Sequence, residues 1–396
     1  MIAREAHRPG SITVVIPAYN RAAVIGHTLQ AIFQQTRPAA EILVVDDGSS
    51  DSTVETAEAE FAKFARENSG ADALPSFRVI RQKNAGPGPA RNRGLREARG
   101  EFVHFFDSDD IPALNKHEVQ AGALERTGAD IAFGPWAKGS IKEQGARSGE
   151  HGAGSKGRGA NSEEQGAGSI ERGSKAKKKR YSFEPEDVVL QQNGLPEGDL
   201  VKELLIRWSI VPQTCLFRRS ILDKAGEFPE DLIYTEDQEL FLRCLLAGAK
   251  VVHTPETFTY YRSDNTDKLT ASSERVMMRF DNWARLLMRI RIDCLVNGVE
   301  PLHWFGFRLR CDSALRYLEN AEAGHLVAAA QLRRYLDASW HPRFFYSVAG
   351  KLLQFRGGLQ RRLRGHRWNA SFRTGAMTKA QGDAFPASPG CARVSD

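Results

Sequence analysis

Residues 42–53 read ILVVDDGSSDST: four apolar residues followed at once by two adjacent aspartates. A continuous rather than alternating apolar run is what a parallel strand covered on both faces requires. Asp46 and Asp47 then set like charges side by side on its last step, and burial makes that repulsion worse. Either the pair belongs to a solvated turn, or a cationic or hydrogen-bonding group is meant to sit there. Gly48 to Asp51 supply turn chemistry, and an Asx turn capping the next helix accounts for Asp51 or Ser52. It does not account for Asp46, whose carboxylate suits the imide N–H of a pyrimidine or a ribose hydroxyl.

Four further apolar runs flank this one: 11–17 (SITVVIP), 77–81 (FRVIR), 101–107 (EFVHFFD) and 130–133 (DIAF). Helical stretches lie between them at 22–36, 53–68, 90–98 and 116–127. In the first, Val24, Ile25, Thr28, Leu29, Ile32 and Phe33 recur at amphipathic spacing. This alternation predicts an α/β fold, a doubly wound and mostly parallel sheet flanked by helices. Ligands of such sheets bind beyond the carboxyl ends of the strands, where the acidic clusters fall.

The 396 residues suffice for two domains or one enlarged one. Cys215, Cys244, Cys294, Cys311 and Cys391 are scattered without a CxxC pair, which argues against a disulfide framework or zinc site and for a reducing compartment. Residues 1–10 lack the apolar core of a secretory signal, and no stretch reaches the ~18 uncharged apolar residues of a membrane span. The expectation is a cytoplasmic protein that at most lies on a membrane.

Charge divides along the chain: net −3 over 1–136, +6 over 137–180, −7 over 181–270 and +10 over 271–373. The basic blocks point to an anionic partner, or are solvated faces. Residues 137–180 are rich in Gly, Ser, Lys, Arg and Glu and predict a disordered basic insertion ending in Lys177–Arg180. Beyond it, 209–218 reads as a strand, 236–247 as a helix and 251–261 as a strand pair. From 274 onward long helical patterns place Met277, Phe280, Trp283, Leu287, Ile290 and Cys294 on one face, with Asn282, Arg285, Arg289 and Asp293 on another. Residues 374–396 read as a flexible tail.

Asp107-Ser108-Asp109-Asp110 closes the fourth strand, and three carboxylates in four residues call for a neutralising cation. Hard ions such as Mg²⁺ or Mn²⁺ suit that oxygen set, binding one or two carboxylates plus substrate phosphates. A helix N-terminus capped by Asp110 explains one aspartate well and three poorly. Residues 84–89 (NAGPGP) make a poor phosphate cradle, since Pro87 and Pro89 have no N–H, and read instead as a rigid lead-in to a helix near Ala90. Thr235 to Gln238 has capping-box spacing, with Glu236 and Asp237 in the first helical turn. A carboxylate so placed also serves as a general base once a hydroxyl reaches it.

Together VVIPAYNRA, ILVVDDGSSDST, NAGPGPARNRG, GEFVHFFDSDD and EDQELFLRCLLAG, in this order and spacing, resemble the family 2 glycosyltransferases over roughly 11–136 and 205–262. The resemblance implies the GT-A fold with a C-terminal helical region, a nucleotide-sugar donor (UDP- or dTDP-linked), a divalent cation (Mn²⁺ or Mg²⁺) and inversion at the anomeric carbon. By position, Pro17, Tyr19, Asp46 and Asp47 match nucleotide-contacting residues, as do Arg91 and Asp107. Asp109, Asp107 and Asp110 match the metal motif, and Asp237 the catalytic base with Glu236 beside it. Residues 1–136 then form the nucleotide-sugar half, 181–270 the acceptor-side half and 271–373 a basic helical region.

The sequence also departs from the family. The late histidine that completes some members' metal shell is replaced by Asp264, leaving His253 as a substitute. The processive QxxRW motif is absent, since Arg364 precedes Gly365-His366-Arg367-Trp368. The expected activity is transfer of a single sugar to a glycan or lipid-linked acceptor, in cell-surface polysaccharide or glycoconjugate synthesis. The rival is a non-catalytic glycan or nucleotide-sugar binder of the same fold. A nucleic-acid partner is not expected, because the basic insertion lacks interleaved aromatics.

Overall fold

The computed structural model describes residues 8–70, 73–144, 180–185, 194–206, 208–262 and parts of 282–298. In chain order the elements begin β1 (Arg8–Ala18), α1 (Ile25–Phe33), β2 (Glu41–Asp46), α2 (Thr53–Glu67), β3 (Ser76–Arg81), α3 (Pro87–Glu97), β4 (Gly100–Phe105) and β5 (Ile111–Pro112). There follow α4 (Lys116–Thr127), β6 (Ile131–Phe133), β7 (Trp136–Gln144), β8 (Arg180–Pro185) and α5 (Leu200–Ile206). The last are β9 (Cys215–Arg218), α6 (Arg219–Ala225), α7 (Glu236–Leu246), β10 (Val251–His253) and β11 (Thr259–Arg262).

The run from Ile42 to Val45 is strand β2 of a seven-stranded sheet ordered β10-β6-β9-β4-β1-β2-β3. Its inner strands are buried on both sides, which is why their sequences are nearly continuous in apolar residues. Ile12, Val14, Ile16, Ile42 and Val44 face α1, α2 and α4. Val15, Leu43, Val45, Val103 and Phe105 face α3, α6 and α7. On that second face α3 lies very close to the sheet: a Cβ on Gly94 would sit 2.2 Å from Val15 Cγ1. The geometry is the expected doubly wound one.

Several expectations are corrected. Strand β9 covers only Cys215–Arg218 of the predicted 209–218, because Pro212 has no N–H for a ladder and Pro212–Thr214 winds into a 3₁₀ turn. It pairs antiparallel with both β4 and β6, so the sheet is mixed. The predicted disordered insertion is structured at both ends: β7 pairs antiparallel with β8 and parallel with β11, so backbone hydrogen bonds order it where apolar burial would not. Residues 145–179 lie outside the described residues. The predicted 251–261 pair splits, β10 joining the large sheet and β11 a second sheet ordered β5-β11-β7-β8.

In the later helical region, Leu286, Ile290 and Cys294 are buried against the core. Asn282, placed on another face than these apolar residues, is buried too, accepting the Ile233 N–H at 2.7 Å. The rest of the basic region, and the tail, fall outside the described residues or are described only in part.

One buried polar cluster braces the sheet. Lys116 is fully buried and donates to the Thr214 carbonyl at 2.8 Å, near His104 and His117, whose rings meet at 2.9 Å, and near Cys215. Burial brings the Lys116 pKa down to about 7, the nearby Cys215 opposing. The unfolded chain therefore holds the extra proton, and stability rises with pH from about 7 towards the ordinary lysine range. Replacing Lys116 with methionine leaves the Thr214 carbonyl a donor in Gln120 Nε2 at 2.8 Å. We expect Lys116→Met to gain about 1–3 kcal/mol at pH 6 and less at pH 9, read by urea denaturation. No gain at pH 6 would show that the ammonium is not a burden on the fold.

Candidate active site

The loops that leave β1, β2 and β4 meet beyond the carboxyl edge of the sheet. The first two are clipped together by the second loop's own turn chemistry. Asn20 N–H donates to Ser49 Oγ at 2.9 Å, Ser50 N–H to Asn20 Oδ1 at 2.9 Å, and Ala22 N–H to Asp51 Oδ2 at 3.0 Å. Asp51 also takes the Thr53 N–H at 3.0 Å, the expected Asx turn. Burial raises the Asp51 pKa, but bonds to Thr53 and Ala22 prevail and lower it. Pro17 is half-buried in the last turn of β1, and Tyr19 stands 45% exposed at the mouth.

The two adjacent aspartates part company. Asp47 receives Gln82 Nε2 at 2.8 Å and the N–H groups of Ala85 and Gly86 at 2.9 and 2.8 Å. Both its oxygens are engaged inside the protein, where Asp47 anchors the 82–86 loop. Three donors offset a charge that would otherwise repel its neighbour. Asp46 takes the Ser49 N–H at 3.3 Å, on Oδ1.

The anchored loop leads into α3, which begins at Pro87 rather than near Ala90. Proline fits the first turn, where its missing N–H costs nothing. Gly88 lets this turn approach the chain before α7: a Cβ there would meet the Pro229 carbonyl at 3.0 Å and Glu236 Cγ at 3.8 Å. One turn on, Arg91 reaches both sides of the cleft. Its Nη2 donates to Asp107 Oδ1 at 2.8 Å and its Nη1 to Glu236 Oε1 at 2.6 Å, the guanidinium lying 5.5 Å from the Phe228 ring. Burial opposes the charge, yet Asp107 and Glu236 more than offset that and raise the Arg91 pKa. Arg91 thus joins the end of β4 to the start of α7.

The predicted capping box does not form. Thr235 holds φ at 68°, a left-handed conformation uncommon for a β-branched residue, and its hydroxyl donates to the Tyr234 carbonyl. Gln238 N–H goes instead to Asp237 Oδ1 at 2.8 Å. Glu236 is buried, and burial raises its pKa to about 7 against the pull of Arg91, with Asp237 adding to the rise. The Asp237 pKa is also raised, by burial first, with Arg91 opposing and Asp107 adding.

The three aspartates after β4 have different surroundings. Asp107 has one oxygen on Arg91. Asp109 is partly exposed, 4.0 Å from Arg21 Nε. Asp110 is 1% exposed, with Oδ1 taking the Arg262 N–H at 3.1 Å and Oδ2 facing Gln213 Nε2 at 3.3 Å. Its oxygens tie β11 and the 3₁₀ turn to the loop. His253 packs on Phe133 at 4.8 Å, and the charge acting on it is Glu256. Sequence reasoning missed Arg21, although it lies three residues past the end of β1 in the quoted VVIPAYNRA. It also missed Tyr261, whose phenol is pushed up to about 12 by burial and then by Asp110, Asp107 and Asp109.

With this geometry in view, residues 13–188 match the family model described as Glycosyl transferase family 2. The uncharacterized glycosyltransferase YibD of Escherichia coli (strain K12) is 38% identical over 99 residues, 25% of this chain and 26% of that protein. The putative glycosyltransferase EpsH of Bacillus subtilis (strain 168) is 38% identical over 100 residues, again 25% of this chain and 26% of that protein. The matched segment thus spans about a quarter of either relative. The crystal structure of S. aureus TarS 1-349 in complex with UDP-GlcNAc aligns with a TM-score of 0.54 at 19% identity, covering 81% of this chain and 79% of that one. The architecture is the GT-A fold. The likeness to glycosyltransferase family 2 lies in residues 13–188, less than half of the chain.

Proposed function

We propose that the chain transfers a single sugar, with inversion, from a nucleotide-sugar donor to a hydroxyl of a glycan or lipid-linked acceptor in cell-surface glycoconjugate synthesis. The observation that carries this reading is the Arg91 bridge, which gathers Asp107 and the Glu236–Asp237 pair from distant parts of the chain. The donor's base and ribose lie along Pro17, Tyr19 and Asp46, and the UDP-GlcNAc bound to TarS on the same fold supports a uridine donor.

A divalent cation fits the acidic motif. Among the described residues no group of three or more His, Cys, Asp or Glu could hold one. Asp109 and Asp107 would hold the ion, with donor phosphates completing a hard oxygen set. Bound there, Mn²⁺ or Mg²⁺ supplies the positive charge that offsets the departing diphosphate. Asp237 takes the proton of the acceptor hydroxyl as its oxygen attacks the anomeric carbon, and its raised proton affinity suits that task. Arg91 holds Glu236, and so the start of α7, against the metal motif.

The test is a calorimetric panel of UDP and dTDP sugars with Mn²⁺ or Mg²⁺, followed by nucleotide release. Metal-dependent binding of one donor is expected; no nucleotide binding by the folded protein would overturn the reading.

No helix among the described residues is long and apolar enough to cross a membrane. For the basic residues 271–373 we infer peripheral attachment to the anionic inner face of a cytoplasmic membrane, each surface Arg adding ~1 kcal/mol. Co-sedimentation with phosphatidylglycerol vesicles should fall steeply with salt and vanish on neutral vesicles. Binding indifferent to lipid charge would refute it.

A further inference from the structure

Strand β11 runs parallel to β7 with Thr259 opposite Trp136, and antiparallel to β5 with Tyr260 opposite Ile111. Side chains alternate along a strand, so Trp136, Thr259 and Tyr261 share one face of this small sheet while Ala137 and Tyr260 share the other. The second face is closed: Ile111, Ala137 and Tyr260 are buried together, with Ala31 of α1 and Phe258 packed on them. On the first face the rings of Trp136 and Tyr261 lie 5.5 Å apart, inclined at 55°, both partly exposed.

The position of this pair gives it a use. Carrying the β5–β11 register one step further sets Tyr261 opposite Asp110, and Asp110 Oδ1 accepts the N–H of the next residue, Arg262. The charges of Asp107, Asp109 and Asp110 all reach the Tyr261 phenol, and Asp107 acts on Asp237 as well. The aromatic pair thus borders the acidic motif, on a sheet separate from the β1 and β2 loops assigned to the nucleotide. A pyranose ring presents a flat face of C–H bonds that packs on aromatic rings, while its hydroxyls stay free for polar neighbours.

We propose that Trp136 and Tyr261 form an acceptor subsite that stacks a pyranose unit of the acceptor glycan beside the reacting centre. The inference deepens the transferase reading and rests on it, since that reading makes the neighbouring cleft a donor site. It commits the acceptor to a carbohydrate at this point of contact, where the rest of the molecule leaves glycan and lipid headgroup equal.

The probes are chitotetraose, mannotetraose and maltotetraose, titrated by saturation-transfer NMR with and without UDP and Mn²⁺, with UDP affinity measured separately by calorimetry. Wild type should bind one of these oligosaccharides. Trp136→Ala and Tyr261→Ala should each weaken it by about tenfold or more, while Trp136→Phe and Tyr261→Phe stay within about threefold. Trp136→Leu, which keeps apolar volume without an aromatic face, should lose binding while remaining folded. If a protein that binds UDP takes none of the three, or if the leucine variant binds as wild type does, the subsite is overturned and the donor reading stands. If UDP does not bind, the donor reading falls, and the titrations without UDP still decide the aromatic pair.

Discussion

Replacing Asp237 with asparagine should lower sugar transfer by about 10²–10⁴-fold while donor affinity stays within about threefold. Asparagine keeps an oxygen for the Gln238 N–H that Asp237 now accepts at 2.8 Å, so the first turn of α7 retains its shape. What it loses is the lone pair that takes the acceptor proton. The substitution also removes a negative charge beside Glu236, so the Glu236 pKa should fall below about 7, burial still opposing Arg91. Initial rates at saturating donor, with donor Kd measured by calorimetry, separate the two effects. Transfer within tenfold of wild type would remove Asp237 from the base role. A parallel loss of donor affinity would make it a binding residue instead.

Arg91→Met should cost about 3–5 kcal/mol of stability at pH 8, because it leaves buried carboxylates without their cation. The pH dependence carries a sign. Glu236 already has a folded-state pKa raised to about 7, above its ordinary 4.5, and losing Arg91 raises it further. A group raised in the folded state stabilises fully below its unfolded pKa, and that contribution disappears as pH climbs through the folded value. The variant should therefore lose much less at pH 5 than at pH 8. Adding Glu236→Gln should restore most of the difference, since a neutral amide can stay buried without a counter-charge. Arg91→Lys keeps one charge but not the fork that reaches two carboxylates, and should fall between. Denaturant titrations at the two pH values test this. Equal losses at both, with no rescue by the glutamine, would show that the bridge does not hold these groups together.

Much of this protein is legible from its sequence. Continuous or nearly continuous apolar runs such as 42–45 and 102–106 declare buried strands because burial on both faces disfavours polar alternation. The helices between them follow from their 3.6-residue periodicity, and Asp51 from local turn chemistry. Local reasoning held for these elements and for Asp51 but failed at Thr235, whose capping box does not form. Where a residue's role depends on a distant donor it did not suffice. Asp46 and Asp47 are indistinguishable as sequence, yet Asp47 is bound by Gln82, Ala85 and Gly86 and Asp46 by the Ser49 N–H. Asp110 looks like its neighbours in the acidic motif, and only the folded chain brings Arg262 and Gln213 to it. Asn282 fell on a polar face in the sequence pattern, and the backbone before α7 gives it a buried partner.

The sequence by itself determined the strand–helix order, the acidic ends of the strands and the family to which they point. Those properties are written in spacing and polarity along a few consecutive residues. Only the tertiary structure decided that β9 reverses direction between β4 and β6, and that Arg91 clamps Asp107 to Glu236 across 145 residues of chain. It also decided that Trp136 and Tyr261 share a face. Strand direction and long-range ion pairs depend on which surfaces meet once the chain has folded, and no local pattern of residues encodes that.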